Sequence, residues 1–134
     1  MNIDIREMKL RILGEFDDTD LYDVFAVINA VTKPSRSMAG LTAFCAAVME
    51  LVANEVIVLG YEIRAFAPET VLNRDDSLDL VALLPYWFKL DQEKNIWTRS
   101  KGAFRVDPTP IMMLTDAGKE QALDIRKRYA FRWW

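Results

Sequence analysis

The stretch that most restricts the fold is Ile111-Met112-Met113-Leu114-Thr115-Asp116-Ala117-Gly118-Lys119-Glu120-Gln121-Ala122. An apolar run meets a Thr/Asp pair, and helix-forming residues follow. Thr115 has the hydroxyl of an N-cap, placed to accept the N–H of Ala117 or Gly118, and Asp116 sits where the helix dipole is positive. A strand should therefore end at Leu114 and a helix begin at once. A capping box would want Glu or Gln at 118, where this chain has Gly118. Glycine in a first turn costs about 0.5–1 kcal/mol relative to Ala, so its presence predicts that the helix start lies close against another backbone.

Upstream, Leu21, Val24, Phe25, Ile28 and Val31 recur at the three-and-four spacing of one apolar helical stripe. Thr19 is the expected N-cap of that helix, Asp20 and Asp23 favour its start, and Pro34 stops it. Ser37 opens a second helix through Leu41, Phe44, Cys45, Val48 and Val52, with Gly40 a candidate break into a short and a long piece. Val56 to Ile63 is rich in β-branched residues and reads as a strand. Within an insert spanning 64–94, Asp76 or Ser77 caps a short helix that Pro85 ends. Ser100-Lys101-Gly102 has the composition of a hairpin turn. Residues 1–14 fit a short strand or a helical turn equally well. The expectation is one α+β domain over residues 1–134. It has three main helices at 19–33, 37–54 and 115–130, a small antiparallel sheet from 56–63, 95–106 and 110–114, and a helical insert around 77–84.

Several chemistries are disfavoured by composition. The chain of 134 residues contains no histidine, which removes Ser-His and Cys-His nucleophiles and nearly all common zinc sites. Its single cysteine, Cys45, cannot form an internal disulfide. Asp17, Asp18, Asp20 and Asp23 do not fit a calcium loop starting at Asp18, because Asp23 falls where Gly is required and Asn29 where Glu is required. Capping and a solvated face account for these acids. The glycines are isolated, so no phosphate cradle is present. No catalytic residue, metal or cofactor is expected. No apolar run approaches the roughly 20 residues of a membrane span, and the N-terminus lacks a signal pattern, so a cytoplasmic protein without a membrane partner is expected.

A net charge of −3 argues against a general polyanion binder. The charge is unevenly spread, however. Glu15, Asp17, Asp18, Asp20 and Asp23 form an acidic segment, whereas Lys89, Lys94, Arg99, Lys101 and Arg105 make 89–106 basic, and 119–134 is basic as well.

Leu114-Thr115-Asp116-Ala117-Gly118-Lys119, preceded by strand residues, resembles the step from wing to final helix in bacterial winged-helix regulators of the MarR and PadR kind. Met49-Glu50-Leu51-Val52-Ala53-Asn54-Glu55-Val56-Ile57 is similar to the end of their recognition helix running into the first wing strand. Glu55 stands in place of the family's turn glycine, and the 64–94 insert is longer than a typical wing. The resemblance implies a winged-helix, non-enzymatic regulator of transcription that binds double-stranded DNA as a homodimer through terminal helices. Arg99, Lys101 and Arg105 on the hairpin would then reach phosphates, with Arg36, Ser37 and Thr42 near the helix entering the groove. The alternative is an acidic protein-interaction module of the same shape without DNA binding, using 15–23 or the insert as its contact surface.

Overall fold

The computed structural model describes residues 4–16, 19–33, 36–62, 70–100, 109–129 and Trp134. The chain begins with helix α1 (Ile5–Gly14), capped by the Asp4 carboxylate, which accepts the Glu7 N–H at 2.7 Å. Met8, Ile12 and Leu13 give it a buried stripe, and this decides the open choice at the N-terminus in favour of a helix. Strand β1 (Leu21–Asp23) follows and runs directly into α2 (Val24–Val31). The expected single helix 19–33 is thus a strand and a shorter helix. Thr19 is not its cap: its hydroxyl accepts the Leu21 N–H, and Asp23 caps α2 by accepting the Phe25 N–H at 2.7 Å.

Helix α3 (Met38–Ala53) is continuous through Gly40, with the Ser37 hydroxyl accepting the Gly40 N–H at 3.2 Å. Its last turn closes in a Schellman arrangement. The Val56 N–H donates to the Leu51 carbonyl at 2.9 Å and the Glu55 N–H to the Val52 carbonyl at 3.0 Å. Glu55 takes the left-handed conformation, φ 58°, that such an ending requires. Strand β2 (Ile57–Glu62) leaves from there and pairs antiparallel with β6 (Thr109–Leu114), Ile57 opposite Leu114 and Glu62 opposite Thr109. β1 pairs with the other edge of β6, Tyr22 opposite Met112. With β3 (Thr70–Val71) on the outer side of β2, the sheet order is β1-β6-β2-β3, antiparallel throughout.

The step from β6 into α5 (Asp116–Arg128) matches expectation. Thr115 caps α5, its hydroxyl oxygen accepting the Gly118 N–H at 3.0 Å and lying 2.6 Å from the Glu55 carbonyl oxygen. A Cβ on Gly118 would lie 2.0 Å from the Val56 carbonyl oxygen. Only glycine fits, because α5 starts against the backbone that reverses α3.

Between β2 and β6 the chain forms β3, α4 (Arg74–Leu83), a single 3-10 turn (Leu84–Tyr86), and a hairpin of β4 (Phe88–Asp91) and β5 (Ile96–Arg99). α4 starts ahead of both expected caps, Asp76 and Ser77: Asn73 caps it, and Ser77 lies buried within it. The Ser77 hydroxyl accepts the Leu59 N–H at 3.0 Å, supplying a strand residue's missing partner from a helix. β5 pairs with β4, not with β2 or β6. The hairpin turn falls at 92–95, where the Asp91 carboxylate accepts the N–H groups of Glu93 and Lys94, both at 3.1 Å, and Asn95 takes φ 54°. Of the turn expected at Ser100-Lys101-Gly102, all but Ser100 lies outside the described residues.

The α+β class with a small antiparallel sheet holds, with five helices among the described residues where three main ones and an insert helix were expected. The insert is part of the core. Its Leu80, Val81, Leu84 and Phe88 are buried there, as is Trp97 just beyond it, each contributing about 1.5–3 kcal/mol by removal from water. Phe88 meets Phe25, Phe44 and Trp97 edge to face, with centroids 4.8, 6.3 and 6.3 Å apart.

Candidate interaction surfaces

The residues expected to face DNA begin at the turn between α2 and α3. Arg36 donates from its guanidinium to the Asn95 carbonyl at 2.5 Å and to the Asn29 carbonyl at 2.6 Å, and its Nε is buried. It thereby ties the start of α3 to the tip of the β4–β5 hairpin and to the end of α2. The last carbonyls of α2 are met by side chains from across the chain. Arg11 reaches Val31 at 3.1 Å, and the Trp134 indole N–H reaches Ala30 at 2.9 Å. Two cations at a helix C-terminus are also favoured by the helix dipole.

Ser37 spends its hydroxyl on the α3 cap. Thr42 is exposed, its hydroxyl donating to the Met38 carbonyl at 3.0 Å. Arg99 stacks 5.4 Å above the Phe25 ring and donates to the Thr109 hydroxyl at 2.6 Å. Lys101 and Arg105 lie outside the described residues. Arg36 and Arg99 hold opposite ends of β5 against α2, one at its last turn and the other at its first. Asn29 completes the contact, its side chain accepting the Trp97 N–H at 2.7 Å and donating to the Trp97 carbonyl at 2.9 Å.

The outer side of α3 exposes Met38, Ala39, Thr42, Met49 and Glu50, and Glu50 is the helix's one charged residue. α1 packs on one side of α3, and α4 with the 3-10 turn on another. Cys45 on this helix has its thiol pushed up to about 12 by burial, so it stays protonated and a poor nucleophile at neutral pH. Among the described residues, no three Asp, Glu or Cys side chains form a group able to hold a metal ion.

The acidic segment is only partly described. Asp20 lies 3.6 Å from the Lys119 ammonium and Asp23 caps α2, while Asp17 and Asp18 lie outside the described residues.

A second surface, unmarked by any sequence motif, is a groove of about 640 Å³ between α1, the end of α3 and α5. Leu13, Leu51, Val56 and Ile125 give it an apolar floor. Its α1 wall carries Arg6 and Lys9, and its α5 wall carries Glu120, Asp124 and Arg128, the last two ion-paired at 3.1 Å. No sequence signal marks it, because its walls come from helices at opposite ends of the chain.

Among the described residues, no helix is long and apolar enough to cross a membrane. Compared with family models, with curated proteins and with solved structures, the chain matches none.

Proposed function

We propose that this chain is a non-enzymatic protein-interaction module built on a winged-helix frame, and that its partner is not duplex DNA. The element order α1-β1-α2-α3-β2-β6, with β6 between β1 and β2, supports the frame. The observation that carries the functional reading is the surface of α3. A helix that enters a major groove needs cations or amides to meet phosphates and base edges. α3 offers methionines, alanines, a threonine and one glutamate, and Arg36 at its entrance is spent on two carbonyls. The insert packs on α3 through α4 and the 3-10 turn, and on α2 through Phe88. The absence of histidine and the protonated Cys45 thiol support a role other than catalysis.

Anisotropy of a labelled mixed-sequence duplex at about 50 mM salt tests this, since phosphate contacts are then at their strongest. The expected result is no saturable binding at micromolar protein. Binding that weakens steeply with salt and disappears in the triple variant Arg99→Ala, Lys101→Ala, Arg105→Ala would establish the regulator reading instead.

A further inference from the structure

We draw no further inference here: the strongest candidate, the groove between α1, the end of α3 and α5, has walls that carry charges of both signs, with Asp124 already ion-paired to Arg128 at 3.1 Å, and nothing in the structure shows what covers its apolar floor.

Discussion

The ends of α2 and α3 are finished in different ways. α3 closes mainly with its own backbone: Glu55 reverses the chain, and the N–H groups of Glu55 and Val56 return to Val52 and Leu51. One distant side chain, Arg74, adds a bond to the Ala53 carbonyl at 3.0 Å. α2 relies on long side chains from remote positions, with Arg11, Arg36 and Trp134 meeting carbonyls 31, 29 and 30. A backbone closure is compact enough for another element to start against it, as α5 does at Gly118. A side-chain closure fills the space around the helix end, but it divides the stabilisation among separable contacts. The first should fail abruptly and the second by degrees.

Gly118→Ala is the severest test of that contrast. On an unobstructed helix it would stabilise by about 0.5–1 kcal/mol. Here the new Cβ meets the Val56 carbonyl, so denaturant unfolding should show a loss of about 3 kcal/mol or more. A gain in stability would mean that the α3–α5 junction is not tight. Next in size is Arg36→Met, which keeps the aliphatic stem and removes both carbonyl contacts. It should cost about 2 kcal/mol while leaving a cooperative transition. A loss equal to that of Gly118→Ala would erase the distinction between the two ends. The smallest effect has the opposite sign. Glu55→Gly relieves the left-handed residue and should raise stability by about 0.5–1 kcal/mol, read as a higher midpoint at unchanged m-value.

How legible each feature was in sequence follows the same division. Thr115 and Gly118 were readable because capping and close approach leave marks within four residues. β1 was missed because three residues are too few to show an alternating pattern, and Leu21 also fitted the helical stripe. Asp76 or Ser77 reads as a cap in sequence, because a serine that caps a helix and a serine inside a helix that reaches a neighbouring strand have the same local surroundings. The use of Ser77 was decided by Leu59, 18 residues away. The turn at 92–95 went unread, although Asp91, Glu93 and Lys94 carry an Asx-turn pattern of their own.

Arg36 illustrates the limit at the candidate sites. A base before a helix suits phosphate contact and carbonyl capping equally well, and only the fold brings Asn29 and Asn95 within its reach. The groove floor residues Leu51 and Val56 were readable as core positions, but only the fold sets α1 and α5 side by side around them.

The pairing of Glu62 with Thr109 has a kinetic consequence. Apart from the two residues of β3, the insert between these opposed residues adds no strand to this sheet among the described residues, so zipping β2 to β6 means closing a long loop. The entropic cost of closure rises with loop length, though slowly, and is met before the strands reward it. Burial of Phe88 and Trp97 against α2 and α3 draws the distant strand back towards its partner. The insert is thus a guide for assembling the sheet, and a chain with a loosened insert should fold more slowly than its loss of stability alone implies.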